Sequence, residues 1–238
     1  GRPLGQALYN AQSQIRLRML AGIQEQVDGA FIRCRVAQAV ALRRQLGDLT
    51  ACRLINAESD RLPAVIADLF GEVISLQILS LGMSRFRQDI VDALVEEIRP
   101  RGIWERNDVP VLALEGMEQS TGLLYGEVPE LVEIIENGVR MLVDVRQGQK
   151  TGYFLDQKEN RAAIAPYCGN ARVLDICTHT GSFALHATLY GAREVTAVDL
   201  SAPALDLATQ NARLNNFGEI QFVNANAFDY LRQQSDMG

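Results

Sequence analysis

The sequence lacks the features of a membrane protein, a disulfide scaffold or a metal centre. In 238 residues no apolar run approaches the ~20 residues of a membrane span, and the first residues lack the apolar core of a signal peptide. The few cysteines show no C-x-x-C spacing, and the two histidines complete no metal-ligand set. We therefore expect no metal. Scattered thiols are typical of a reducing compartment, so we also expect a cytoplasmic protein. The thiols are Cys34, Cys52, Cys168 and Cys177.

Lysine is also scarce, since Lys150 and Lys158 are the only two, and arginine supplies the remaining positive charge. Residues 1–47 hold seven arginines and two acidic residues, a net charge of +5, whereas the rest holds 16 basic and 27 acidic residues, a net charge of −11. A basic leading segment on an acidic body suggests an end that faces a polyanion such as nucleic acid. The alternative is an amphipathic helix that exposes arginine to solvent.

Apolar periodicity divides the chain into three regions. Residues 1–47 are predicted to contain a helix over 27–46, and residues 48–148 form a mixed region that closes on a hairpin with Asn137-Gly138 at its turn. Within the mixed region, Ser84 is predicted to cap a helix over 84–98, and strands are predicted at 52–57, 64–68, 73–79 and 103–106.

Residues 172–200 have the pattern of a strand, a glycine turn, a helix and a second strand. The first apolar run ends on Asp175, a polar turn reaches Gly181, a helix covers 183–190, and the second run ends on Asp199. In such a unit both acidic residues lie at the carboxyl edge of a parallel sheet, where nucleoside cofactors bind. The alternative is an ordinary βαβ unit with solvated carboxylates.

The turn distinguishes between cofactors. A dinucleotide site requires Gly-x-Gly-x-x-Gly, whereas residues 175–181 read Asp-Ile-Cys-Thr-His-Thr-Gly, with one glycine and a leading carboxylate. A carboxylate here repels a pyrophosphate and suits a cation, and Asp199 is placed to accept hydrogen bonds from ribose hydroxyls. We therefore expect S-adenosylmethionine (SAM), which has an amino group, a sulfonium and a ribose. The single-glycine turn disfavours the alternative of an NAD-type oxidoreductase.

A dense polar cluster at 148–161 precedes this unit. It contains both lysines and the aromatic residues Tyr153 and Phe154, and Asp156 is a candidate cap for a helix that begins with Gln157, Asn160 and Arg161 in its first turns. Polar side chains beside aromatic rings favour a ligand-binding wall, with Tyr153 and Phe154 as core residues being the alternative.

Two motifs in series match a known family. Thr-Gly-Tyr-Phe-Leu-Asp-Gln-Lys-Glu-Asn-Arg at 151–161 and Val-Leu-Asp-Ile-Cys-Thr-His-Thr-Gly-Ser-Phe at 173–183 closely resemble the SAM-dependent methyltransferases of cytosine C5 in large-subunit (23S) ribosomal RNA. Residues 54–71, 102–108 and 121–126 resemble the central α+β domain of that family, and residues 5–18 resemble the end of its PUA-type RNA-binding barrel.

The resemblance implies an α/β fold with three domains. These are the end of a PUA-like domain plus a connecting helix at 1–47, a central α+β domain at 48–148, and the first half of a Rossmann-like methyltransferase domain at 149–238. It also implies ribosomal RNA as the partner, no membrane, and SAM as the cofactor.

The resemblance assigns roles to individual residues. It implies that Asp175 and the backbone of 177–181 hold the methionine moiety, that Gln157 and Arg161 support its polar end, and that Phe183 packs under the turn. Asp199 takes the ribose, Leu200 the adenine face, and Asn226, where the family usually has Asp, the adenine amino group. The full implied set is Tyr153, Gln157, Arg161, Asp175, Cys177, Thr178, Thr180, Gly181, Phe183, Asp199, Leu200 and Asn226.

In this family the Asp-Pro-Pro motif and the nucleophilic cysteines lie further along than Gly238, so the resemblance implies no catalytic residue here. Cytosine-C5 chemistry needs a thiolate that adds to ring carbon 6. We therefore expect a fragment that lacks both ends and does not methylate RNA alone. An incomplete sheet leaves an open edge on which a second copy could pair to give a homodimer. The alternative function is a non-catalytic RNA-binding module with a degenerate Rossmann scaffold.

Overall fold

A computed structural model of the chain describes residues 1–47 and 49–237 and divides into two compact units. The first unit comprises Gly1–Val132 and Val143–Tyr153, and the second comprises Glu133–Leu142 and Phe154–Gly238. The chain therefore enters the second unit, returns to the first, and enters the second again. Over residues 1–47 and 49–237, no helix combines the length and apolar character that a membrane crossing requires.

The first unit is an α+β structure. Over the described residues its helices and strands are β1 (Gln6–Tyr9), β2 (Leu17–Ala21), α1 (Gly29–Leu46), β3 (Ala51–Asn56), β4 (Val65–Phe70), β5 (Val73–Ile78), α2 (Leu81–Ser84), α3 (Arg87–Ile98), β6 (Gly102–Asn107) and β7 (Ser120–Gly126). Strands β3 to β7 form a sheet in chain order, antiparallel except for β5 and β6. Strands β1 and β2 form a separate antiparallel hairpin.

The core of the first unit lies between this sheet and the helices α1 and α3. Helix α1 begins where Asp28 accepts a hydrogen bond from the Phe31 amide, at 2.9 Å. Its buried apolar residues recur at helical spacing, so that one face packs into the core; they include Ile32, Val36, Ala39 and Val40. Arg35 of the same helix is also buried.

The second unit is α/β. Its elements are the hairpin of β8 (Val132–Glu136) and β9 (Val139–Val143), followed by α4 (Lys158–Ala163), α5 (Ala165–Cys168), β10 (Arg172–Ile176), α6 (Ser182–Leu189), β11 (Glu194–Asp199), α7 (Ala202–Leu214), β12 (Ile220–Asn224) and α8 (Ala227–Met237). Strands β10, β11 and β12 are parallel and adjacent in that order, which confirms the α/β prediction for this part of the chain.

Several local predictions are confirmed and others are wrong. Asn137 and Gly138 both have positive φ, 48° and 87°, as a type I′ turn requires. Ser84 does not cap a helix, because the chain forms a short helix first: Ser80 caps α2 through the Met83 amide, and α3 begins only at Arg87. Asp156 is not a cap either; it lies inside a 3-10 turn, Leu155–Gln157, that leads into α4 without a capping side chain.

The arginines of residues 1–47 are largely paired within the first unit. Arg33 contacts Asp89 at 3.0 Å and Arg43 contacts Asp60 at 2.5 Å, and Arg18, Arg35 and Arg44 also form ion pairs. The positive charge that the sequence concentrates in this segment is therefore balanced locally by carboxylates, several of them from residues 58–115. This weakens the argument for a polyanion-facing end that rested on charge alone.

Candidate functional site

The second unit brings the ends of its three parallel strands to one edge. Register pairs Ile176 with Val198 and Asp199 with Asn224, so the polar residues that end β11 and β12 lie side by side. The turn that follows β10 begins at the same edge. This is the position at which open parallel sheets bind ligands.

The turn at 177–181 has an unusual backbone. Cys177, His179 and Gly181 all have positive φ, at 61°, 52° and 83°. A left-handed conformation is costly for residues other than glycine and is concentrated at functional sites. The turn is held by hydrogen bonds from the Thr178 amide to the Val198 carbonyl, at 3.0 Å, and from the Gly181 amide to the Thr178 carbonyl, at 2.9 Å.

Asp175 ties the strand to this turn and to the helix beyond it. Its carboxylate accepts a hydrogen bond from Thr178 Oγ1, at 2.5 Å, and another from the Ala184 amide in the first turn of α6, at 3.1 Å. Burial raises the pKa of Asp175, these two hydrogen bonds oppose that shift, the nearby charge of Asp199 adds to it, and Arg161 opposes it. A half-buried carboxylate of raised pKa near a second carboxylate favours a cationic partner.

Asp199 supports the turn from the next strand. Its carboxylate accepts hydrogen bonds from the His179 amide, at 2.8 Å, and from the Ser201 amide, at 2.9 Å. The side chain is half-buried, so its oxygens retain lone pairs for further donors such as ribose hydroxyls. Ser201 caps α7 by accepting from the Ala204 amide, and Pro203 lies in the first turn.

Arg161 lies at the buried centre of the second unit. Its Nη1 donates to Glu136 Oε1, at 2.7 Å, and its Nη2 donates to the Phe154 carbonyl, at 3.0 Å. Its guanidinium carbon is 5.5 Å from the centroid of the Phe183 ring. Phe183, the second residue of α6, thus packs against Arg161. Gln157 is half-buried one turn before Arg161 and accepts a hydrogen bond from the Asn160 side chain, at 2.9 Å.

The sequence pattern does not indicate two buried residues of this unit, Glu136 and His186. Glu136 is the ion-pair partner of Arg161. The His186 ring nitrogens lie 2.6 Å from the Ser182 carbonyl and 3.1 Å from the Glu136 carbonyl, and burial lowers its pKa. The alternation of β8 could have indicated that Glu136 is buried and needs a counter-ion, because Glu136 lies on the same face as the buried Val132 and Ile134.

Other predicted residues have different positions. Cys177 and Leu200 are exposed at the strand edge, Leu200 to 70%, while Thr178 and Thr180 are buried within the turn. Asn226 does not end a strand: β12 stops at Asn224, and Asn226 accepts from the Phe228 amide, at 2.9 Å, as the cap of α8. The strand-end position next to Asp199 belongs to Asn224, which donates to the Asp199 and Leu200 carbonyls.

Tyr153 belongs to the first unit and is buried there, which favours the alternative of a core residue. Two residues before it, Thr151 donates to the buried Asp68 carboxylate, at 2.6 Å. The polar cluster predicted at 148–161 is therefore divided, with its first part anchored on the central sheet and its second part, from Phe154, in the second unit.

These features fit a nucleoside cofactor that carries positive charge. Two neighbouring carboxylates suit an ammonium or sulfonium group, a half-buried Asp199 suits a ribose, and a single-glycine turn offers no pyrophosphate site. Over residues 1–47 and 49–237 no group of three His, Cys, Asp or Glu side chains is arranged to hold a metal.

The family model described as S-adenosylmethionine-dependent methyltransferase matches residues 112–238, more than half of the chain, and the chain belongs to that family. SAM as the cofactor of the family, predicted from the turn, is confirmed.

Curated proteins that this chain resembles share a more specific name. A protein of Pseudoalteromonas atlantica named ribosomal RNA large subunit methyltransferase I is 42% identical over 96% of this chain and 60% of its own length. A protein of the same name from Vibrio vulnificus is 40% identical over 100% of this chain and 62% of its own length. The chain thus spans about three fifths of the curated relatives that it matches.

Solved structures support the fold. A candidate SAM-dependent methyltransferase from Streptococcus mutans has a TM-score of 0.84 at 24% identity and covers 98% of this chain and 62% of its own. A second structure, a candidate methyltransferase in complex with S-adenosylhomocysteine (SAH), has a TM-score of 0.86 at 24% identity and covers 98% of this chain and 61% of its own.

Proposed function

We propose that this chain is the cofactor-binding part of a methyltransferase that transfers a methyl group from SAM to large-subunit ribosomal RNA, at C5 of a cytosine. The observation that carries the proposal is the pair Asp175 and Asp199, which meet at the end of the parallel strands around a strained turn. The names of the relatives support the RNA substrate. The cytosine-C5 specificity rests on the resemblance of the motifs at 151–161 and 173–183.

Within this function each element has a task. When bound, the cofactor supplies an electrophilic methyl group on a cationic sulfur. Asp175 and the 177–181 backbone hold the methionine moiety, Asp199 holds the ribose, and the exposed Leu200 packs on the adenine face. Asn226 contacts the adenine amino group in this proposal, and Asn224, at the strand end, is the second candidate for that role.

The remainder of the proposal concerns the whole protein. Residues 1–47 form the end of a PUA-like RNA-binding domain with its connecting helix, residues 48–148 a central domain, and residues 149–238 the start of the methyltransferase domain. The protein is cytoplasmic, and the open edge of the parallel sheet is a site at which a second copy pairs.

Calorimetric titration of SAM and SAH into the chain tests the cofactor site. We expect both to bind, and binding to be lost in Asp199→Ala. A folded chain that binds neither would refute the site. Transfer of labelled methyl groups from SAM to 23S RNA then distinguishes an enzyme from an RNA-binding module: we expect no transfer by this chain and transfer to cytosine by its full-length counterpart.

A further inference from the structure

Glu136 connects the β8–β9 hairpin to the cofactor side of the second unit in two ways. The residue is 1% exposed, and its carboxylate accepts from Arg161 at 2.7 Å. Its carbonyl lies 3.1 Å from His186 Nε2, on the helix that follows the cofactor turn. One hairpin residue is thus bonded both to α4 and to α6.

Of the two partners of Glu136, Arg161 and His186, Arg161 is the one that links Glu136 to the turn. It is 1% exposed, donates to the Phe154 carbonyl at 3.0 Å and lies over the Phe183 ring. Burial raises the pKa of Asp175 and the charge of Arg161 opposes that rise, whereas burial lowers the pKa of His179 and the charge of Arg161 adds to that effect. The guanidinium therefore acts electrostatically on the turn that holds the cofactor.

A fully buried guanidinium requires a carboxylate counter-ion in a fixed geometry. If the counter-ion is removed, the buried charge is uncompensated and the side chain must move or recruit another acid. Asp175 is a half-buried acid on which Arg161 also acts, and its carboxylate already accepts hydrogen bonds from Thr178 and Ala184. Glu136 thus holds Arg161 in place and leaves Asp175 to the turn.

We propose that Glu136 is a positioning residue for the methionine end of the cofactor, acting through Arg161. The inference rests on the proposed function, and it assigns the hairpin a part in ligand binding that its sequence does not indicate. In this proposal Glu136 does not contact the ligand; it fixes the position of the Arg161 guanidinium, whose charge acts on the turn at 177–181.

The test compares three ligands of the site. SAM and SAH carry the amino-acid end, whereas 5′-methylthioadenosine keeps the nucleoside and lacks that end. In Glu136→Gln we expect SAM and SAH to bind about tenfold more weakly, as expected for loss of one charge-assisted contact, and methylthioadenosine to bind within about twofold of the unmodified chain.

Glu133→Gln is the matched control. Glu133 lies on the same hairpin and pairs with Arg140 at 2.6 Å, but both side chains are exposed, at 40% and 47%. This variant removes one carboxylate and one ion pair from β8 without reaching Arg161. All three ligands should bind to it as they bind to the unmodified chain.

A double-mutant cycle tests whether Glu136 acts through Arg161. We expect Glu136→Gln combined with Arg161→Gln to weaken SAM binding no more than Arg161→Gln alone. The double variant buries no unpaired charge, so if either single variant does not fold, the double variant is compared directly with the unmodified chain: SAM and SAH should bind more weakly to it and methylthioadenosine should not, and equal binding of SAM would contradict the proposal. Effects that simply add would overturn the proposal.

Two further outcomes would also overturn it. Equal weakening of all three ligands in Glu136→Gln would mean that Glu136 supports the fold and not the methionine end. If the unmodified, folded chain binds none of the three ligands, the proposed function itself is refuted. This outcome differs from a failure of the Glu136 proposal alone, because it appears without any substitution.

Discussion

Asp199→Ala tests how the site is held together before any ligand binds. The carboxylate accepts hydrogen bonds from the His179 and Ser201 amides, at 2.8 and 2.9 Å. A hydrogen bond to a charged group contributes ~1.5–3 kcal/mol, and because Asp199 is half-buried we discount each to ~1 kcal/mol. Asp199→Ala should therefore destabilise the turn by ~2 kcal/mol, and Asp199→Asn by about half of that, because the amide keeps one acceptor oxygen.

Amide hydrogen exchange measures this locally. A loss of ~1 kcal/mol at one amide corresponds to roughly fivefold faster exchange. In Asp199→Ala the amides of His179 and Ser201 should both be affected, and in Asp199→Asn one of them. Asp206→Asn, which removes an exposed carboxylate from α7, should change neither. Unchanged protection of His179 in Asp199→Ala would refute the hydrogen-bond arrangement from which the ribose role is argued.

Three further predictions concern the same edge of the sheet. Gly181→Ala should lower the free energy of unfolding by ~1–3 kcal/mol, because φ is +83° and the new Cβ would lie 3.0 Å from Ala208 Cβ. Gly191→Ala is the control: φ is +86° but the space around it is open, so only the cost of the left-handed backbone should remain. Equal losses in thermal unfolding of the two variants would contradict a contact with Ala208. Asp175→Asn should change the pH dependence of unfolding: since burial raises the native pKa of Asp175, its charged form destabilises the fold above that pKa and the cost disappears in acid. The stability of the unmodified chain relative to Asp175→Asn should therefore improve as pH falls from 7 to 4, and a constant difference would be evidence against the shift. Ser201→Ala should cost ~1 kcal/mol in urea unfolding through loss of the α7 cap, and Ser201→Asp should restore most of it.

Local chemistry made part of this fold predictable. The Asn-Gly turn, the Ser201 cap and the strand–turn–helix–strand order of 172–200 depend on neighbouring residues, and each is present. The choice of cofactor also followed from one short segment, because a single glycine and a leading carboxylate are features of the turn itself.

The remaining features depend on contacts between distant residues. Glu136 and Arg161 are 25 residues apart, and Glu136 and His186 are 50 apart, so no periodicity or spacing rule relates them. The caps at Ser84 and Asp156 failed for a different reason, because a short helix or 3-10 turn was inserted before the predicted start. The resemblance assigns the adenine amino group to Asn226, which lies two residues beyond the end of β12 at Asn224, because the end of a strand depends on its pairing with a neighbouring strand.

The charges around Asp175 and Asp199 determine which kind of ligand we expect the proposed site to favour. Burial and the nearby Asp199 make the charged form of Asp175 unfavourable, and Arg161, which opposes that effect, is already paired with Glu136. Backbone amides also donate to these carboxylates, from His179 to Asp199 and from Ala184 to Asp175. A ligand with a cationic sulfur or ammonium group supplies the missing charge, whereas neutral or phosphorylated nucleosides do not. We therefore expect the proposed site to prefer ligands that carry a positive charge. In the role proposed for it, Glu136 supports this preference by pairing with Arg161, so that Asp175 stays available to the ligand.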